Sequence, residues 1–302
     1  MKSVGFVGFG EAAQCFAEAL AGKVPDGVVV YCNGSRHFPP YDEEFLNGLA
    51  TIGASPRNNL ASLVSDCDVI FSAVTVGQAE AVGQEILELC GKDQLVIDVN
   101  ASTPSVKRRL SRIASERGVG YVDASVMGAV SIYGHGVQLY CSGNRVEEFS
   151  AAMTPYGFSV QVLAGDAGTA SGVKMLRSVV TKGMEGLLVE ALSAAASMGI
   201  VEEAFDGICS PMDATTFSKF AVMCIETDVL HSERRADEMK CIEDELEATG
   251  IEPIMTAATT RRLMKSAAFG LRDSFARRES YTYQDVLDEY QQFATKQGEK
   301  ND

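Results

Sequence analysis

The sequence predicts an α/β fold: a doubly wound, mostly parallel sheet in the first half, an all-α second half, and one long helix joining them. Three observations carry this. Short apolar runs alternate with helical patterns up to about residue 165. The first of these runs leads into a glycine-rich turn that opens a helix. From Gly165 to Ile200 the chain reads as one long helix, and helical patterns continue to the end. The domains are therefore drawn as 1–165, α/β, and 166–302, all helical.

Taken in order, Lys2 to Gly8 is a short apolar strand. Gly8-Phe9-Gly10-Glu11-Ala12-Ala13 follows, then a helical run through Phe16, Ala17 and Leu20. This is G-x-G-x-x-A between a strand and a helix, the Rossmann arrangement. Its glycines let backbone approach a pyrophosphate, and the helix N-terminus offers free N–H groups. A plain tight turn is the alternative.

The second strand, Gly27 to Cys32, ends at Asn33-Gly34-Ser35-Arg36. A cofactor with a free ribose 2′-hydroxyl usually meets Asp or Glu here. A neutral Asn33, a hydroxyl at Ser35 and the guanidinium of Arg36 instead suit a 2′-phosphate. The expected cofactor is NADP, with NAD possible; the alternative is that Arg36 is a surface residue and Asn33 a turn former. Phe38 to Asn59, with Pro39, Pro40 and Pro56, is expected to be irregular.

Cys67 to Val74 reads as a buried strand, with Val74 and Thr75 at its carboxyl end, where cofactors bind in such sheets. After a helix over Ala79 to Leu89, the strand Gln94 to Val99 ends at Asn100-Ala101-Ser102-Thr103-Pro104. Asn100 and Ser102 are candidate contacts to the nicotinamide and substrate. Ser102 or Thr103 also suits the cap of the helix Ser105 to Ser115. Strands are expected at Val119 to Ala124, Val137 to Cys141 and near Phe158 to Leu163.

In the long helix, apolar residues recur at helical spacing from Val173 on, with others between them, so most of its circumference is expected to be buried. One stripe is polar: Lys174, Ser178, Lys182 and Glu185 share a face, flanked by Arg177 and Thr181. Such groups on a buried helix need partners, and a ligand is one. A solvated edge, or pairing with neighbouring carboxylates, is the competing account. Beyond residue 200, Ser210-Pro211-Met212-Asp213 is read as a helix start, Ser232 to Thr249 as an amphipathic helix closing at Gly250, Met255 to Phe269 as a third, and Tyr283 to Thr295 as the last, before a polar tail to Asp302. The all-round apolar character of Leu187 to Met198 points to a homodimer.

A net charge of −15, from 26 cations and 41 anions among 302 residues, argues against nucleic acid as a general partner. No stretch approaches twenty apolar residues, so neither a membrane span nor a signal peptide is expected. Eight scattered cysteines without a CxxC pair fit a reducing, cytoplasmic setting. Three histidines far apart in sequence give no metal-ligand pattern.

The motifs GFVGFGEAA, NGSR, DVNASTP, DASVMGA and GTASGVKMLRS, spread over nearly the whole chain, resemble the β-hydroxyacid dehydrogenase superfamily, which includes 6-phosphogluconate and 3-hydroxyisobutyrate dehydrogenases. KMLRSVVTKGMEGLLVEA and GIEPIMTAATTRRLMKSA are similar to a subgroup with a phosphogluconate-dehydrogenase-like C-terminal domain. The resemblance implies that Lys174 matches the family's general acid/base and Ser178 stands where an Asn usually orients the substrate. It implies that Asp123 to Ala129 match the segment holding the substrate carboxylate. Ser125, Met127 and Gly128 are then substrate-binding candidates, with Met127 in place of a serine. Arg177 and Lys182 are left to hold an anionic group.

The expected activity is hydride transfer between the nicotinamide and a small acidic hydroxy or oxo substrate. Burial and the cations Arg177 and Lys182 are expected to lower the Lys174 pKa. The alternatives are a non-catalytic NADP-binding or interaction protein, and an imine reductase on the same fold; retention of Lys174 speaks against both.

Overall fold

The computed structural model describes residues 2–298. The chain forms two compact units, 1–179 and 180–302. In the first, strands and helices alternate: β1 (Val4–Val7), α1 (Glu11–Leu20), β2 (Val28–Tyr31), α2 (Glu43–Ile52), β3 (Ala54–Pro56), α3 (Leu60–Asp66), β4 (Val69–Ser72), α4 (Ala79–Leu89), β5 (Leu95–Asp98), α5 (Pro104–Arg117), β6 (Gly120–Val126), α6 (Val130–Tyr133), β7 (Gln138–Gly143), α7 (Val146–Met153) and β8 (Ser159–Val162). The long helix α8 (Thr169–Met198) begins in this unit and continues into the second. There it is followed by α9 (Val201–Asp213), α10 (Phe217–Ala248), α11 (Ile254–Ala267), α12 (Arg272–Ala276) and α13 (Tyr283–Gly298). The fold class is as the sequence predicts. Alternation of strands and helices stops near residue 165, whereas the compact unit extends to residue 179 because the first turns of α8 belong with the sheet.

The sheet runs β3-β2-β1-β4-β5-β6-β7-β8. Neighbours are parallel except β6 and β7. Period-two alternation sorts the strand residues onto two faces. Val28, Val30, Val69, Phe71, Leu95 and Ile97 enter one apolar cluster; Val29, Ile70 and Val96 enter the other. Both faces are thus buried, which is why these strands read as continuous apolar runs. Phe6 and Phe71, in register on β1 and β4, stack with ring centroids 4.9 Å apart. Such a pair adds about 0.5–1.5 kcal/mol beyond the area it buries.

The segment expected to be irregular after β2 is ordered. Asp42 caps α2 through its Oδ1, which accepts from the Phe45 N–H at 2.8 Å, and Gly53 closes that helix with φ 78°. Pro56, as the last residue of the three-residue edge strand β3, can occupy a position where no ladder donor is needed. In the second unit, Ser210-Pro211-Met212-Asp213 ends α9 rather than opening a helix, and Thr216 caps the 32-residue α10. The last helix extends to Gly298; of the expected polar tail, residues 299–302 lie outside the described residues.

Burial of α8 also departs from expectation. Val173, Leu176, Val179, Val180, Met184, Leu187, Leu188 and Val189 are each 39–66% exposed. The chain's own elements cover its first turn, at Ala170 and Ser171, and the small side chains of Ala194 and Ala195. Within the helical unit, Glu190 on α8 accepts from the Met255 and Thr256 N–H groups and the Thr256 hydroxyl, at 2.6, 2.8 and 2.6 Å. It thereby caps the first turn of α11, whose Pro253 N-cap supplies no side-chain acceptor. No helix of the described residues is long and apolar enough to cross a membrane.

Candidate active site

The carboxyl ends of β1, β2, β4, β5 and β6 carry most of the residues singled out in the sequence. At the end of β1, Gly8 has φ 88°, and a Cβ there would lie 2.3 Å from the Ala73 carbonyl oxygen. Only glycine fits. Gly10 is the N-cap of α1, supplies no side-chain acceptor, and faces open space where a Cβ would project. The free N–H groups of this turn therefore open onto an uncapped space, the cradle that a pyrophosphate needs. Phe9 and Ala12 pack on the core, Ala13 is buried in it, and Glu11 is exposed in the first turn of α1.

After β2, Asn33, Ser35 and Arg36 are exposed. Arg36 pairs with no carboxylate among the described residues. Behind them the His37 and Phe45 rings stack with centroids 4.4 Å apart, and Phe9 meets Phe45 edge-on at 5.9 Å. The loop thus rests on an aromatic wall beside the Gly8 turn.

The ends of β4 and β5 are tied together by Asn100. Its Oδ1 accepts the Val74 N–H at 2.6 Å, and its Nδ2 donates to Ser72 Oγ at 2.9 Å and Asp98 Oδ1 at 2.7 Å. Both amide hydrogens are engaged inside the protein, so Asn100 is a brace for the strand ends rather than a free donor to a nicotinamide. Thr103, not Ser102, caps α5, through a 3.5 Å contact from the Val106 N–H. The Ser102 hydroxyl is buried without a hydrogen-bond partner, and so remains available to a ligand. Thr75 is exposed and its carbonyl accepts the Gln78 N–H.

At the end of β6, Ser125 is buried, Met127 is half-buried and Gly128 is exposed. The Met127 carbonyl accepts from Arg177 Nη1 at 2.7 Å, which fixes the guanidinium beside this loop. Asp123, fully buried on β6, holds the start of α8: its Oδ2 accepts from the Gly168 N–H at 3.0 Å and from the Ser171 N–H and hydroxyl, both at 2.9 Å. Lys174 lies one turn further along α8 and is half-buried, as is Ser178.

Burial is the largest influence on the Lys174 ammonium. Together with the positive charges of Lys107 and Arg177, it pulls the pKa below the usual lysine value, against the opposing pull of the Asp123 carboxylate. Lys182 is not among these influences. It is exposed and falls in the second compact unit, so the role expected of it beside Lys174 passes to Lys107.

Lys107 was not singled out in the sequence. It lies on α5 with no side-chain exposure, 2.8 Å from Asp98 Oδ1 and 3.5 Å from Asp123 Oδ1. Its signal is a cation at i, i+3, i+7 spacing with the buried Leu110 and Ala114, inside the helix's apolar stripe. Among the described residues, no three His, Cys, Asp or Glu side chains are grouped as a metal ion requires.

The family described as the NAD binding domain of 6-phosphogluconate dehydrogenase matches residues 3–160. A domain of unknown function, DUF1932, matches residues 195–265. The 2-(hydroxymethyl)glutarate dehydrogenase of Eubacterium barkeri is 24% identical over 229 residues, 73% of this chain and 72% of that protein. A solved structure of a conserved protein of unknown function, described as structurally similar to 3-hydroxyacid dehydrogenases, is 30% identical; the likeness covers 89% of this chain and 98% of that one, with a TM-score of 0.58. An imine reductase from Myxococcus stipitatus, 16% identical over 92% of this chain and 100% of its own, has a TM-score of 0.73, a likeness in fold alone. With more than half of its length matched, the chain belongs to the 6-phosphogluconate dehydrogenase-like NAD-binding family.

Proposed function

We propose that this protein is an NADP-dependent oxidoreductase that interconverts a small acidic hydroxy substrate and its oxo form, with Lys174 as general acid/base. The observation that carries the reading is Lys174 itself: a half-buried amine at the carboxyl end of a dinucleotide-binding sheet, its pKa lowered by burial and by neighbouring cations. Gly8, Gly10 and the first turn of α1 would hold the pyrophosphate, and Ser35 and Arg36 the 2′-phosphate that distinguishes NADP from NAD. Val74, Thr75 and Ser102 would line the nicotinamide end. When bound, the nicotinamide ring supplies hydride acceptance or donation at C4.

The chain's own residues then manage the proton and the substrate charge. In the oxidising direction, neutral Lys174 takes the proton of the substrate hydroxyl; in the reducing direction, the ammonium donates it to the carbonyl oxygen. Arg177, anchored on Met127, pairs with the substrate carboxylate or phosphate, assisted by Ser178 and the Ser125–Gly128 loop. The acid named in the Eubacterium relative is in keeping with a carboxylate-bearing substrate.

A homodimer accounts for the apolar residues that α8 leaves exposed. Eight cysteines without a disulfide among them fit the cytoplasm.

The test is steady-state turnover with a panel of hydroxy, oxo and aldehyde acids plus cyclic imines, using the unaltered protein and Lys174→Met. Loss of turnover by about 10²–10⁴-fold with NADPH affinity retained supports the reading. Unchanged turnover in Lys174→Met, or a preference for imines over every acid, overturns it.

A further inference from the structure

Lys107 is the most unusual charge in the nucleotide-binding unit. A lysine is almost never fully buried without a specific reason, yet this side chain has no exposure. Its ammonium donates to the Asp98 carbonyl at 2.8 Å and lies 2.8 Å from the carboxylate of the same residue. Asp98 is otherwise satisfied by the Tyr121 hydroxyl at 2.6 Å and by Asn100. Asp123 is different. One of its oxygens takes three hydrogen bonds from the start of α8, while the other, Oδ1, is buried with no hydrogen-bond donor and has the Lys107 ammonium 3.5 Å away.

Stability alone is a poor reason for such a cluster. Replacing a buried ion pair by well-packed apolar groups is often neutral or stabilising, and an apolar residue would complete the stripe that Leu110 and Ala114 already form on α5. What an apolar residue would not supply is a charge. The charged groups facing Lys174 are Lys107 from α5, Arg177 from its own helix and Asp123 from β6. Of the two cations, Arg177 is exposed and its charge is screened by solvent, whereas Lys107 is sealed from water and is not.

We propose that Lys107 is a positioning residue for the proton chemistry: pinned by Asp98, it anchors Asp123 and with it the first turn of α8, and it sets a buried cationic side chain toward Lys174. This rests on Lys174 being the proton carrier. Lys107 never touches substrate; it acts through Asp123 and through space. By repelling a second ammonium it raises the neutral fraction of Lys174, the form that accepts the hydroxyl proton.

The experiment titrates Lys174 directly. Lysines of the full-length protein are reductively methylated with ¹³C-formaldehyde, and the Lys174 resonance, assigned by its loss in Lys174→Arg, is followed against pH. In Lys107→Met the Lys174 titration should move up, because a like charge that acts on the amine is removed. Lys107→Met leaves two buried carboxylates opposed, so Lys107→Met/Asp98→Asn, which removes one charge of each sign, is measured beside it and should show a smaller upward move, because loss of the Asp98 charge acts in the opposite sense. Lys107→Arg should restore the original titration. In turnover, the acid limb of kcat/KM for oxidation should follow the same shifts.

A Lys174 titration that stays in place in Lys107→Met, or that moves down in the double variant, overturns the inference, whatever the activity. Conversely, turnover that survives Lys174→Met removes the acid/base reading while the measured coupling between Lys107 and Lys174 stands, so the two failures are distinguishable.

Discussion

Asp123 Oδ2 accepts both the backbone N–H and the hydroxyl of Ser171, each at 2.9 Å. Ser171 is three residues before Lys174, so the two side chains lie on adjacent positions of one helix face. Fixing Ser171 to the sheet fixes the azimuth of α8 and hence the direction of Lys174. Gly168, at φ 104°, makes this approach feasible: a Cβ there would sit 3.0 Å from the Pro104 carbonyl oxygen.

Ser171→Ala should therefore lower stability by about 1.5–3 kcal/mol, the range for a hydrogen bond to a charged acceptor. Urea unfolding monitored by circular dichroism measures it. Turnover should fall further than stability explains, because the turn carrying Lys174 loses a tether; an unchanged midpoint would mean that the two remaining N–H groups suffice.

Arg36→Ala should weaken NADPH binding by about 1.5–3 kcal/mol and leave NADH binding nearly unchanged, since only the 2′-phosphate is lost as a partner. The chain contains no tryptophan, so the nicotinamide fluorescence can be titrated without interference from indole. Equal affinity for the two cofactors in the unaltered protein would remove the basis of NADP preference.

Glu190→Gln addresses the helical unit. Burial pushes the Glu190 carboxyl up, but the Thr256 hydroxyl and the backbone donors opening α11 outweigh it and hold the group below the usual range. A depressed carboxyl contributes stability that is fully present above the unfolded value, about 4.3, and is lost as pH falls through the folded one. The variant should be less stable at neutral pH by about 1.5–3 kcal/mol, and the difference from the unaltered protein should shrink on acidification. Paired thermal melts at neutral and acid pH measure both terms.

The sheet was legible because its strands are buried on both faces and therefore apolar throughout. The Gly8 turn was legible because its chemistry demands glycine at fixed places. Lys174 and Arg177 stood out as cations in an apolar helix. The stretch from Phe38 to Asn59 was not legible: its prolines read as loop, while the two signals that fix α2, the Asp42 cap and the left-handed Gly53, are single residues without periodicity. Pro211 misled similarly, since proline is favoured in the first turn of a helix and here sits in the last. Lys107 was missed because its partners Asp98 and Asp123 come from separate strands, and no local pattern couples them. For the same reason Lys182, close to Lys174 in sequence, was credited with an influence that Lys107 exerts.

The sharpest consequence of the acid/base role proposed for Lys174 is an opposite pH dependence of oxidation and reduction. Lys174 is pulled below the usual lysine value, about 10.4, first by burial and then by Lys107 and Arg177. As pH rises through the lowered value, the neutral amine accumulates. Oxidation requires that form, so kcat/KM for the hydroxy substrate should rise with pH on a limb lying below the ordinary lysine range. Reduction requires the ammonium, so kcat/KM for the oxo substrate should fall over the same interval. Stability carries the same signature. Between the folded and unfolded values the unfolded chain binds more protons at this residue, so Lys174 makes stability rise with pH across that window. Below the window its destabilising effect is constant, and above it the effect is gone. Lys174→Met should abolish both the catalytic limb and this contribution to the slope. An oxidation limb at the ordinary lysine value would show that burial and Lys107 do not tune the amine, and limbs that run in the same direction for both reactions would show that Lys174 does not carry the proton.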